Sequence, residues 1–177
     1  MAALAVVTHW SHFVPVLALV FTVASFWWIY VRRGKLKTFA PNGYGSVFLA
    51  KQARLRFPLV LTNTGAPSIA VEDLRAVVDG NVLEWLTTRA TLRPEAGDRL
   101  DLAKPFAVAG RSAVQLVPEF GQSGEGAWQP GDGPCVMRLE WRDRGRWREL
   151  LTFQWWPPAS NRGAYIAHRN APNAEQE

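Results

Sequence analysis

The first 31 residues contain no Asp, Glu, Lys or Arg, and within them runs FVPVLALVFTVASFWWIYV, residues 13–31. No other feature restricts the chain so strongly. At about 1.5 Å per residue a helix of this length matches a hydrocarbon core of roughly 30 Å. The run is apolar on all sides, whereas a surface helix of a soluble protein carries a polar stripe. Thr22 and Ser25 fit, because their hydroxyls can bond back to the helix's own carbonyls. Pro15 is placed near the helix start, where a missing N–H costs little. Trp10 precedes the run and Trp27, Trp28 and Tyr30 end it, as in interfacial aromatic belts. The sequence therefore predicts one transmembrane helix over 13–31 behind a short flank, 1–12.

A cleaved signal peptide would need a basic n-region, a shorter apolar run and a small-x-small cleavage site. Here no Lys or Arg precedes the run, and its end is the bulky Phe26-Trp27-Trp28-Ile29-Tyr30. The reading is a retained signal anchor, a single pass through the cell membrane. Arg32, Arg33, Lys35 and Lys37 follow at once, while the other flank has only the α-amino group, His9 and His12. Basic residues beside a spanning helix stay in the cytoplasm. The expected topology is N-terminus outside and C-terminal domain cytoplasmic. The formal net charge of +5 is partly this cluster. It suits an anionic membrane surface, with nucleic acid second.

Residues 32–45 mix these basic residues with Pro41, Asn42 and three glycines, and read as an exposed juxtamembrane linker. Strand-like segments follow over 46–158. LRFPLVLT (55–62) ends at the turn signal Asn63-Thr64-Gly65, and IAVEDLRAVV (69–78) ends at Asp79-Gly80-Asn81. Residues 82–92 are a strand or a short irregular segment, and 106–108 and 112–117 flank Ala109-Gly110-Arg111. Residues 121–133 are rich in Gly and Pro and read as a long loop. The clearest local pattern is a hairpin. Met137, Leu139 and Trp141 alternate with Arg138, Glu140 and Arg142, and beyond Asp143-Arg144-Gly145 the return strand puts Trp147, Leu151, Phe153 and Trp155 on one face. Trp156-Pro157-Pro158 ends it. Short strands, regular turn signals and no strong helix pattern predict an antiparallel β-sandwich of two sheets. The polar stretch 159–177 is expected to be a disordered tail.

The stretch PLVLTNTGAPSIAVEDLRAVV (58–78), followed by FAVAGRSAVQL (106–116), resembles bacterial immunoglobulin-like domains, with Asn63, Gly65 and Gly110 at the turn positions. The resemblance covers about half of the domain. It implies a sandwich fold and a scaffold or binding role, and carries over no functional residue. The Cys–Trp–Cys pattern of antibody domains is absent, since Cys135 is the one cysteine. A single cysteine permits no internal disulfide and fits a reducing compartment.

Little in the residue inventory points to catalysis. His9 and His12 precede the apolar run and His168 lies in the expected tail, so no Ser-His-Asp or Cys-His set is expected in the β-domain. His9 and His12, three apart, make at most a two-ligand metal site, and interfacial placement is the plainer account. Glu72 and Asp73, adjacent on a strand, point to opposite faces. Glu95, Asp98 and Asp101, with Arg93 and Arg99, read as a solvated loop of balanced charge. No phosphate-binding glycine loop is present, and Cys135 reads as a small packed hydrophobe. No catalytic, cofactor or metal residue is assigned.

The remaining feature is the basic hairpin: Arg138, Arg142, Arg144, Arg146 and Arg148, interleaved with Trp141 and Trp147 and diluted by Glu140, Asp143 and Glu149. A charged edge that discourages sheet-to-sheet pairing accounts for it. Contact with an anionic membrane surface is the alternative, and nucleic acid is not expected. Membrane-interface residues are Trp10, Trp27, Trp28, Tyr30, Arg32, Arg33, Lys35 and Lys37. The chain is expected to be a non-catalytic, membrane-tethered interaction or scaffold module with a protein partner. The alternative is an accessory or ligand-sensing subunit of a membrane complex that packs through Ala18, Thr22 and Ser25.

Overall fold

The computed structural model describes residues 2–95, 97–131, 133–158 and 165–171, with side chains from Phe13 onward. Helix α1 spans Ala2–Phe26 and ends in a π-helical turn, Trp27–Val31. The expected flank 1–12 is therefore helical from Ala2, and Pro15 sits in the helix interior and not near its start. Interior proline costs about 3 kcal/mol in a soluble helix. Spanning helices tolerate it better, because neighbours and local adjustments re-satisfy the freed carbonyl. The Thr22 hydroxyl donates to the Ala18 carbonyl at 2.8 Å, as expected from the sequence. Phe13–Val31 is long and apolar enough to cross a membrane, and none of it is buried against the rest of the fold. A membrane anchor and a signal sequence both fit that description.

Thirteen antiparallel strands follow among the described residues: β1 Leu36–Lys37, β2 Gly43–Leu49, β3 Gln52–Arg56, β4 Leu59–Asn63, β5 Ile69–Val71, β6 Asp73–Val78, β7 Asn81–Arg89, β8 Leu100–Leu102, β9 Phe106–Val108, β10 Ala113–Ser123, β11 Cys135–Asp143, β12 Arg146–Trp155 and β13 Ile166–Arg169. Eleven join one sheet with the path β12-β11-β6-β7-β10-β3-β2-β13, to which β4, β1 and β8 attach, while β5 and β9 form a separate ladder. Strand β10 organises the sheet. Its first half pairs with β4 and its second half with β3, so that β3 and β4 act as one strand broken at Phe57-Pro58. Its other edge pairs with β7 through a register shift at Glu119/Phe120.

The sheet curls until its ends face each other. Trp155 of β12 packs edge-on against Tyr44 of β2, with ring centroids 5.3 Å apart, and Phe153 packs edge-on against Phe57 at 6.2 Å. Ring pairs of this kind contribute about 0.5–1.5 kcal/mol beyond the area they bury. With no disulfide available, such side chains and the buried Leu55, Leu59, Leu61, Leu83 and Met137 hold the fold. The architecture is thus mainly β, an antiparallel curled sheet with one apolar N-terminal helix.

Three local expectations change. Residues 32–45 are not an exposed linker throughout, because β1 pairs with β4 and β2 begins at Gly43. The stretch 159–177 is not disordered throughout, because β13 pairs with β2 over Gly43–Ser46. Apolar Ile166 and the ring of His168, stacked on Tyr44 at 5.9 Å, supply the packing that a polar average conceals. Residues 159–164 and 172–177 lie outside the described residues. In the hairpin, Leu139 pairs with Leu151 but Glu140 with Glu149, so a bulge at Leu150 inverts the alternation. Trp147 thereby lies opposite Arg142 on the charged face, not on the core face.

Candidate functional site

Three charged groupings result from this fold: a junction between the helix and the sheet, the arginine hairpin, and a buried cluster around Arg56.

At the junction the chain leaves the π-helical turn and enters the sheet without slack. Ala66 N–H donates to the Arg32 carbonyl at 3.0 Å, and Lys35 N–H donates to the Thr64 hydroxyl at 3.0 Å. Gly34 and Gly65 touch backbone to backbone; a Cβ on Gly34 would stand 1.9 Å from the Gly65 nitrogen. Asn63, 1 % exposed, holds the turn from inside. Its amide donates to the carbonyls of Pro67 at 2.8 Å and Val108 at 3.1 Å, and its oxygen accepts from Gly65 N–H at 2.9 Å. Asn63, Gly65 and Gly110, which carry the immunoglobulin-like resemblance, all sit here. Gly110 leaves room for the Ala66 carbonyl, which a Cβ would approach to 1.7 Å.

The expected interface residues divide around this junction. Trp27, Trp28 and Tyr30 are exposed on the helix, and Arg33, Lys35 and Lys37 are exposed just beyond it. The Arg32 guanidinium lies 3.9 Å over the Trp28 ring. Trp10 falls in the part of α1 whose side chains are not described. Arg111 joins the group, and sequence reasoning missed it. Its backbone N–H donates to the Gly65 carbonyl at 2.8 Å and its guanidinium donates to the Trp28 carbonyl, a cation set against the helix C-terminus. The Ala-Gly-Arg turn signal was visible in the sequence, but its contact with Trp28, 83 residues away, was not.

The five hairpin arginines are not equivalent. Arg138 pairs with Glu140 at 2.8 Å and Arg148 with Asp143 at 2.9 Å, while Arg142 stands 3.9 Å from Glu72. Arg144 and Arg146 are exposed at the turn and have no ion pair among the described residues. Glu140 also pairs with Arg75 at 2.6 Å, and the Arg75 guanidinium lies 4.1 Å over the Trp147 ring. Trp141 is buried in the core.

The third grouping was not foreseen. Arg56 is 3 % exposed, and its guanidinium binds Glu119 at 2.6 Å, Asp98 at 3.1 Å and the Thr91 carbonyl at 3.2 Å. Arg89 stands 3.7 Å from Glu119 and 3.9 Å from Asp98, so two arginines balance two carboxylates. The Tyr165 ring covers Arg56 at 4.6 Å. Burial, together with the Glu119 charge and against the Arg56 charge, pushes the Tyr165 phenol above its usual range. Gly45 makes room for this cover, since a Cβ there would meet the Leu92 carbonyl at 2.4 Å. A cleft of about 410 Å³ opens beside the cluster, lined by Arg54, Arg56, Arg89, Glu95, Asp98 and Tyr165 among others. Asp98 is thus a docked side chain and not part of a solvated loop, as the sequence had suggested. Arg56 sits between Leu55 and Phe57, and alternation alone assigns such an arginine to the solvent face.

Cys135 is buried, and burial followed by the nearby Asp79 carboxylate pushes its thiol up to about 12. His168 belongs to the sheet through β13, so the expectation that no histidine falls in the β-domain does not hold. Among the described residues no group of three or more His, Cys, Asp or Glu is arranged to hold a metal ion.

No protein-family model and no curated protein matches this sequence. Among solved structures, a "Crystal structure of protein from Archaeoglobus fulgidus" is similar over 77 % of this chain and 99 % of that one, at 10 % identity with a TM-score of 0.37. A likeness at that level carries no argument about fold or activity.

Proposed function

We propose that the chain is a non-catalytic, membrane-tethered interaction or scaffold module. Helix α1 is its single span, and the β-domain is an immunoglobulin-like sandwich on the cytoplasmic side that binds a protein partner without a cofactor. The observation that carries this reading is the junction. An unburied apolar helix of membrane length runs directly into a sheet through the β1–β4 ladder and the Gly34–Gly65 contact. Tethering raises the local concentration of a binding domain near the bilayer. The facing of β2 and β12 across one aromatic core supports the sandwich reading. The exposed cations Arg33, Lys35 and Lys37 support the sidedness.

Affinity purification of the full chain in mild detergent tests the module. A specific protein enriched over a control carrying the helix alone supports it, and equal recovery from both removes it. A C-terminal alkaline phosphatase fusion active in intact cells would reverse the sidedness.

A second reading has the helix pack against other spans, as an accessory or sensing subunit. It draws on Ala18, Thr22 and Ser25, small residues three or four apart on a helix that the β-domain leaves uncovered. Replacing the helix with an unrelated span separates the two: retained function favours the tether, and lost function favours helix packing.

A further inference from the structure

We propose that the hairpin tip, Asp143 to Arg146, is a second membrane contact in which Arg144 and Arg146 bind the phosphates of anionic lipids in the leaflet that holds the end of α1. The proposal rests on the reading of α1 as a membrane span.

Strand directions place the tip at the right end of the sheet. Strand β4 runs toward the junction, ending at Asn63, and β5 and β6 run away from it. Strand β11 is antiparallel to β6, so it runs back and delivers the tip to the junction end, with Arg142 opposite Asp73. Two bonds fasten the tip there: Glu72 N–H donates to the Arg142 carbonyl at 3.2 Å, and Gly145 N–H donates to the Glu72 carboxylate at 3.0 Å. Ile69 of β5 pairs with Val108, which leads directly into the Arg111 turn that touches Trp28. Glu72 is three residues beyond Ile69, so the tip stands about 10 Å along the strand from the Ile69–Val108 pair.

Charge then selects the occupant. Arg138 and Arg148 are neutralised by Glu140 and Asp143, whereas Arg144 and Arg146 keep their donors for an external acceptor. Guarding the β12 edge would call for free charge along that strand; here the unpaired cations gather at its turn. Phosphate is the acceptor that arginine binds with paired N–H donors. With Arg33, Lys35, Lys37 and Arg111, the two arginines outnumber the Glu72 and Asp143 carboxylates beside them and give the domain two points of attachment. A domain so held cannot swing about its helix.

The test is phenylglyoxal footprinting of the full chain in nanodiscs of zwitterionic lipid and of mixed zwitterionic and anionic lipid, read by mass spectrometry. Arg138, on β11 farther from the tip, is the internal reference. The expected result is a roughly five-fold slower modification of Arg144 and Arg146 in the anionic discs, abolished by high salt, with Arg138 unchanged. Equal rates in both discs, with the chain incorporated, overturn the tip contact and leave the span intact. A chain that fails to enter either disc overturns the span, and the tip contact with it.

Discussion

Arg56 of β3 and Glu119 of β10 form a 2.6 Å ion pair, one 3 % and the other 9 % exposed, between strands that pair in register at these two residues. Asp98 brings the loop after β7 to the same guanidinium, and Tyr165 brings the C-terminal segment over it. One arginine therefore ties two strands, a loop and the chain end together.

Removing Glu119 leaves Arg56 and Arg89 to share the single carboxylate of Asp98 in a buried cluster. Glu119→Leu is expected to destabilise the fold by about 3–5 kcal/mol, measured by chemical denaturation of the full chain in detergent. A loss of under 1 kcal/mol would mean that water reaches the guanidinium. Arg56→Met in the Glu119→Leu background should recover part of the loss, because Arg89 and Asp98 then remain as one balanced pair.

Asn63 replaces a missing ladder at the junction with three side-chain bonds. Asn63→Ala strands the buried Val108 carbonyl and the Gly65 N–H and frees the Pro67 carbonyl, and should cost at least about 2 kcal/mol. Hydrogen exchange checks the location: faster exchange at Gly65, Ala66 and Arg111 is expected, with the amides of β11 unaffected.

Gly110 and Gly131 make a matched comparison. A Cβ on Gly110 would stand 1.7 Å from the Ala66 carbonyl, while one on Gly131 meets nothing within 4 Å. Gly110→Ala should destabilise by about 1–3 kcal/mol and Gly131→Ala by close to nothing. Thermal unfolding of the two variants decides the matter, and equal midpoints would contradict the close approach.

Cys135 holds its proton in the folded state, its thiol pushed up to about 12 from an ordinary value of 9.0. Above pH 9 the unfolded chain therefore loses a proton that the folded chain keeps. Stability supplied by this group is full below that pH and is lost as pH rises toward the folded value. Cys135→Ala should flatten the alkaline decline in stability between pH 9 and pH 10.5. In the native protein a thiol reagent at pH 8 should react only as the domain unfolds.

Local pattern carried the architecture well where one face is apolar and the other polar. The turns at 63–65 and 79–81 follow from their Asn, Asp and Gly residues, the strands around them from β-rich runs, and the first strand of the final hairpin from period-two alternation. The apolar run stood out for the same reason, as an extreme of composition. What pattern could not reach was set by partners distant in sequence. Strand β13 is a polar segment recruited by the free edge of β2, and Leu36–Lys37 becomes a strand because β4 offers an edge. Trp147 changed faces through a bulge at Leu150, which alternation counting steps across. The Arg56 cluster was illegible for another reason. Each of its members reads as an ordinary surface charge, and only the covering loop and Tyr165 make the surface an interior.

The entry of the chain into the sheet also limits its reach. Residues 32–35 alone separate the π-helical turn from β1, and four extended residues span at most about 14 Å. With α1 in a bilayer, the domain cannot fish for partners in solution on a flexible line. It would search in two dimensions, at the pace of lateral diffusion. Its partners would be molecules that are themselves at the membrane or that come to it.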